Sequence, residues 1–203
     1  MGKGTAYEIQ KAAIRLFNES GYAKVTVRDI CEAADITKST FYYHFPGKKA
    51  ILTDFYKYTP VLPAGMAHKL ATSDNAWEKV WACVEPMVDW TVAAGAAILS
   101  QVFVSNLQSD TNTFAIENQQ GYAELLVGII KKGQEEGQFH TRSAPHSVYV
   151  NIINIILGIA VQWCIHGGGF DEKQAIRDSV ESLLSVKEEY AALRPKGDAA
   201  DAG

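Results

Sequence analysis

The chain has 203 residues, 47% of them apolar and 21% charged, an ordinary globular balance that excludes a disordered polymer. Its formal charge of −4 argues against a generally basic nucleic-acid binder. The three cysteines, Cys31, Cys83 and Cys164, stand too far apart for a zinc or redox spacing and read as small apolar residues.

The charge is unevenly spread. Residues 1–50 hold eight Lys/Arg and five Asp/Glu, a net of +3, and the remainder carries −7. A basic head on an acidic body is the pattern expected when one end alone meets phosphate.

The opening MGKGTAYEIQ lacks the apolar run of a secretory signal, so no signal peptide is expected. Ile9, Ala12, Ala13, Leu16 and Phe17 then follow helical spacing up to a stop at Gly21. Thr26 reads as an N-cap with Asp29 at N3, opening a short helix through Ala33. Thr37 caps another to about His44. After Pro46-Gly47, Lys48 begins a fourth helix through Ile51, Leu52, Phe55 and Tyr58, ended or kinked by Pro60, Pro63 and Gly65. A helix over about 76–94 is capped by Ser73, Asp74 or Asn75, kinked at Pro86 and closed by Gly95. Others span about 96–107 and, after the polar SDTNT loop, about 114–136. Ser143 and Pro145 start an apolar helix that Gly167-Gly168-Gly169 ends. Asp171 and Gln174 form a capping box for a last helix to about Ala192. The tail 194–203 is expected to be disordered.

The apolar stretch from Val148 to Ile165 is nearly long enough to span a bilayer, which takes about 20 apolar residues. Asn151, Asn154 and Gln162 interrupt it and no basic flank orients it. It reads as the buried centre of a helical domain or a dimer interface, with its mid-helix positions, such as Ile156, against a second copy; no membrane is expected.

The stretch TVRDICEAADITKSTFYYHF holds two short helices joined by Ala34-Asp35-Ile36. Ile30, Cys31, Ile36, Phe41 and Phe45 are placed to pack inward. Lys38, Ser39, Thr40, Tyr42, Tyr43 and His44 cover the outward side, with small donors and a basic residue first. Such a helix can put its N-terminal side chains on base edges in a major groove. Tyr42 and His44 can reach phosphate oxygens, and Lys48 stands at a helix start where ammonium and dipole would act on one phosphate. Singly, Tyr42 and Tyr43 are also compatible with packing, and Lys48 or Lys49 with a solvated charge.

Ala13, Leu16-Phe17, Gly21-Tyr22, Thr26-Val27, Ile30, Ala34, Ile36-Thr37, Ser39 to Tyr42, His44-Phe45, Lys48 and Leu52 together resemble the DNA-binding domain of the TetR (tetracycline-repressor) family. Asp35 stands at the turn position where such proteins usually have Gly, and Gly47 where a Ser cap is common. The resemblance implies an all-α chain of about nine helices. A three-helix helix-turn-helix domain (1–50) would precede a ligand-binding and dimerisation domain (51–193). It implies a repressor that binds a palindromic double-stranded operator as a homodimer, is released by a small-molecule effector and works in the cytoplasm without a cofactor. The DNA contacts carried over are Thr26, Arg28, Thr37, Lys38, Ser39, Thr40, Tyr42, Tyr43, His44 and Lys48. The last two long helices would build the dimer.

Trp81, Trp90, Phe103, Tyr122 and Trp163 are candidate walls of a partly apolar effector pocket. Gln101, Asn106 and Asn154 are candidate polar contacts within it. Control by a protein partner, or a small-molecule-binding protein or enzyme with a vestigial head, are the competing readings. No metal-ligand spacing, nucleophile elbow or phosphate-cradling loop occurs, so no enzyme and no metal site is expected.

Overall fold

In a computed structural model of the chain, residues 2–55, 64–108 and 120–191 are described. Among these residues there are ten helices and no strand beyond one isolated bridge, Phe139 with Val186. The helices are α1 (Gly2–Ser20), α2 (Val27–Ala33), α3 (Lys38–His44), α4 (Lys48–Thr53), α5 (Ala64–Thr72), α6 (Ala76–Ala94), α7 (Ala96–Leu107), α8 (Gln120–Glu135), α9 (Pro145–Ile165) and α10 (Glu172–Leu184).

Side-chain caps start four of the helices. Thr26 and Asp29 form the reciprocal box at α2, and Thr37 accepts from the Thr40 N–H at α3. Asn75, of the three candidates, caps α6 through the Glu78 N–H at 3.1 Å. At α10 only half of the expected box forms. Asp171 accepts from the Gln174 N–H at 2.9 Å, but the Gln174 amide turns forward and donates to Asp178.

Three expected boundaries move. The fourth helix stops at Thr53, with the Asp54 N–H folding back onto Ala50 and Leu52, instead of running on to Tyr58. Gly65, read as a breaker, lies inside α5, which the sequence reading did not anticipate. The last helix ends at Leu184 and not near Ala192. Ser185 adopts the left-handed conformation there (φ 50°), and the chain turns to hydrogen-bond with the segment after α8: His140 N–H donates to Ser185 O and Lys187 N–H to Gln138 O. The expected loop SDTNT, the start at Phe114 and the tail 194–203 lie outside the described residues. α6 passes through Pro86 as one helix.

Gly95 makes the sharpest corner. Its φ of 81° suits glycine, and α6 and α7 meet there at 105°. That corner divides the packing into two cores. One joins Ile9, Ala13, Phe17, Ile30, Phe41, Phe45, Leu52 and Phe55 of the first four helices and the turn after α4 to Ala94, Ile98, Leu99, Val102, Ala160 and Trp163. The other is built from Trp77, Val80, Val84, Leu126, Ile130, Tyr149, Ile152, Ile156, Ile176 and Val180 of α6, α8, α9 and α10. The first core therefore runs unbroken across residue 50, where the sequence reading drew a domain boundary. α9 is long and apolar enough to cross a membrane by length and composition. An 18-residue window of it has mean hydropathy 1.9, and 33% of that window is buried.

Gly133, on α8, lets Phe139 seat against the helix: a Cβ there would lie 2.5 Å from the Phe139 ring and 3.0 Å from the Ala76 Cβ. Helix propensity favours Ala over Gly by about 1 kcal/mol, whereas overpacking a buried site costs about 1–3 kcal/mol. Since Phe139 is 3% exposed, Gly133→Ala is expected to destabilise the protein in chemical denaturation. A gain in stability would show that Phe139 is not held there.

Candidate nucleic-acid interface

The turn between α2 and α3 is closed by the Ile36 N–H donating to Cys31 O at 3.0 Å, with Asp35 left-handed (φ 51°). That conformation explains why glycine is usual there, and Asp is among the side chains that tolerate it. Ile30, Cys31, Phe41 and Phe45 are buried against Ile9, Ala13 and Phe17 of α1, so the pair of short helices is held by an apolar face.

The other face of α3 is open. Lys38, Ser39, Tyr42 and Tyr43 are exposed, the two tyrosines by 55% and 83%, while Thr40 and His44 are half-buried. Tyr42 leans edge-on against Phe41 and Tyr43 against His44. Thr37 and Thr40 are exposed and half-buried respectively, and their hydroxyls bond to each other at 2.9 Å. Lys38, Ser39 and the two tyrosines thus form the outer side of a seven-residue helix narrow enough for a major groove.

Thr26 and Arg28 lie at the start of α2. Both the N–H and the hydroxyl of Thr26 donate to Asp29 at 2.8 Å, and these bonds hold the Asp29 carboxyl below its usual range. Arg28 is exposed and bridges Glu32 at 2.8 Å, which raises its already high pKa. A surface pair of this kind is weak enough to exchange for a phosphate.

Lys48 is placed differently from the sequence expectation. Its ammonium donates to Tyr22 O at 2.6 Å and Val25 O at 2.8 Å and lies 4.3 Å from the Tyr22 ring. Two of its three donors therefore close the loop between α1 and α2. No local pattern announces partners more than twenty residues away.

Three further residues missed by sequence reasoning fix the head, two of them to the body. Gln10 is fully buried and donates to Ile51 O and Asp54 O, pinning the end of α4 to α1. Asn18 donates to Ala94 O at 2.8 Å, tying α1 to the last turn of α6. Tyr7 packs on Trp90, which in turn stacks on Phe55 at 5.4 Å. Gln10 was legible only as a polar interruption beside Ile9.

The eight candidate pocket residues do not converge. Trp81 and Tyr122 belong to the second core, where the Tyr122 hydroxyl donates to Cys83 O at 2.6 Å and burial pushes its pKa up. Trp90, Phe103, Asn106 and Trp163 lie in or beside the first core. The Asn106 amide is turned to Val102 O, and the Trp163 indole donates to Phe170 O. Gln101 and Asn154 are exposed on the outer faces of α7 and α9. A groove of about 320 Å³ between α5, the start of α6 and α8, floored by Leu70, Leu125 and Ile129, is lined by none of the eight. Among the described residues no group of three or more His, Cys, Asp or Glu is placed to hold a metal ion.

The two roles of Lys48 separate experimentally. As a loop clamp, its loss removes charge-assisted hydrogen bonds worth about 1–3 kcal/mol. Lys48→Ala is therefore expected to lower Tm in the absence of DNA. An unchanged Tm with weakened DNA binding would return Lys48 to a purely phosphate-contacting role.

Comparison with known proteins agrees with this geometry. Residues 9–54, from α1 to the end of α4, match the family model described as bacterial regulatory proteins, tetR family. The HTH-type transcriptional repressor KstR2 of Rhodococcus jostii is 24% identical over 175 residues, covering 81% of this chain and 82% of the repressor. Among solved structures, Thermus thermophilus FadR, a TetR-family repressor in complex with lauroyl-CoA, superposes with a TM-score of 0.59 at 20% identity, covering 98% of this chain and all of that one. The fatty acid degradation regulator FadR of Bacillus halodurans gives 0.60 at 19% identity, over 88% and 94% of the two chains. These matches indicate no enzymatic family. The head, residues 9–54, thus matches the tetR family of bacterial regulatory proteins, and the chain as a whole shares the fold of the Thermus TetR-family repressor.

Proposed function

We propose that the chain is a homodimeric repressor that binds a palindromic operator in the cytoplasm through α3 and is released by a partly apolar small molecule. The observation that carries the reading is the outer face of α3. Lys38, Ser39, Tyr42 and Tyr43 stand exposed on a helix whose opposite face is buried. A helix anchored from behind, with small donors first and a cation beside them, is suited to reading base edges while the aromatics brace against the backbone.

Dimerisation is supported by α9. Asn151, Asn154, Gly158, Val161 and Ile165 form an exposed stripe along it, flanked by half-buried Ile155, Leu157 and Ile159. Ile165 is 68% exposed and Val161 39%. Such a stripe matches a second copy related by a two-fold axis, with α10 alongside. Ile156, which the sequence reading placed at the interface, instead points into the protomer and is 3% exposed.

The joint at Asn18, Trp90 and Gln10 supports a coupling route through the last turn of α6 in addition to α4. An effector acts through it only by binding the non-DNA form more tightly, and the operator must then weaken effector binding by the same factor. The Thermus relative's lauroyl-CoA makes acyl-CoA thioesters a rational first set for a melting-shift screen.

Selection of duplexes from a random pool is expected to return a palindrome with half-sites about one helical turn apart. On that duplex, Arg28→Ala should flatten the salt dependence by about 0.9 per phosphate lost in each half-site, since its exposed guanidinium can exchange Glu32 for a phosphate. Failure to enrich any duplex would contradict the proposal. In sedimentation, Ile165→Glu is expected to give folded monomer, whereas Ile156→Glu should unfold the protomer, because an unpaired buried carboxylate costs several kcal/mol. A folded dimer from Ile165→Glu would place the interface elsewhere.

A further inference from the structure

Glu172 is an acid without a matching base. It opens α10, yet it is only 2% exposed. Its Oε2 lies 3.4 Å from the Thr91 hydroxyl, whose proton is already directed at Val88 O at 2.8 Å, and its Oε1 has no partner. A charged carboxylate left in that state is costly, so the group is expected to hold a proton.

The groups around it offer no relief. On α6, Glu85 and Asp89 face the same seam and are already bridged by Lys173 at 2.9 and 2.8 Å. From α9, the nearby group is Cys164, whose thiol burial holds up, and His166 follows as an exposed cap of that helix. On α10 itself, Asp171 is committed to the N-cap. One ammonium thus serves two carboxylates, and ionising Glu172 would add a third.

We propose that Glu172 is a proton-held latch between α10 and the head-bearing end of α6: it seats as the neutral acid, and its deprotonation loosens that seam and weakens the head's hold on DNA. The location gives the latch its reach. Thr91 lies between Trp90, which stacks on Phe55 and packs on Tyr7, and Ala94, whose carbonyl receives Asn18. The last turn of α6 therefore has Glu172 on one side and the head on the other. The DNA half of the proposal rests on the function proposed above; the latch itself does not.

Burial pushes the Glu172 carboxyl up from 4.5 to about 7. An acid with a raised pKa binds its proton more tightly folded than unfolded. Its stabilising contribution is full below the unfolded value and is lost as pH rises through the folded one. The window is therefore from 4.5 to about 7 and just beyond.

The test compares full-length wild type with Glu172→Gln, which keeps the shape and cannot ionise. Between about pH 6 and about pH 8, wild type is expected to lose roughly 2–5 °C of Tm relative to the variant. Parallel curves would overturn the latch. Should the variant fail to fold, infrared difference spectra of wild type decide. A protonated carboxylic acid must be present at about pH 6 and lost by about pH 8, and its absence at the lower pH overturns the proposal. With the selected duplex, wild-type affinity should fall by up to roughly tenfold more than the variant's over that range. A melting difference without an affinity difference would overturn the connection to the head. If no duplex is bound at all, the function fails while the melting curves still judge the latch.

Discussion

Everything in this molecule depends on the head having too little surface of its own to bury. α2 and α3 have seven residues each and α4 six, lengths at which isolated helices do not persist in water. Their apolar faces close on α1, and α1 and α4 close on Ile98, Leu99 and Val102 of α7, which packs in turn on Ala160 and Trp163 of α9. The helix-turn-helix head is therefore the end of one continuous core, and α6 and α7 pack against the elements that hold α3.

From this follows the division of labour along the long helices. α6 begins in the second core at Trp77 and ends against the head at Ala94. α9 likewise runs from Val148 in the second core to Trp163 in the first, exposing one stripe along its length. Two helices thus span both cores, and the corner at Gly95 lets α7 fold back as the head's platform. A regulator needs such members: a ligand at one end can shift a distant contact only through an element that has two arrangements and packs at both sites. Asn18, Gln10 and Trp90 are the places where that packing becomes specific.

The parts legible in sequence were those whose signals are local. The capping box Thr26–Asp29, the Thr37 cap, the Ala34-Asp35-Ile36 turn and the placing of Phe41 and Phe45 opposite outward polar groups all act within a few residues. What escaped was long-range or signalled by the wrong residue. Ser185 ends α10 in a conformation usually announced by glycine, and α5 forms through Gly65 after a proline-rich approach. Lys48 found carbonyls 23 and 26 residues back instead of solvent. α9 is apolar on almost every side, so periodicity could not tell that Asn154 faces out and Ile156 in. Glu172 stands in a first helical turn, where an acid needs no special explanation, and only the fold buries it.

The shared core is tested most directly by native-state hydrogen exchange on the free protein. Amides of the head, such as Phe17 and Phe41, and amides of its platform, such as Val102 and Trp163, should open in one cooperative step with a common free energy and a common denaturant dependence. If the head amides instead open at markedly lower free energy while those of α7 and α9 stay protected, the head is an independent domain, and coupling through a continuous core is contradicted.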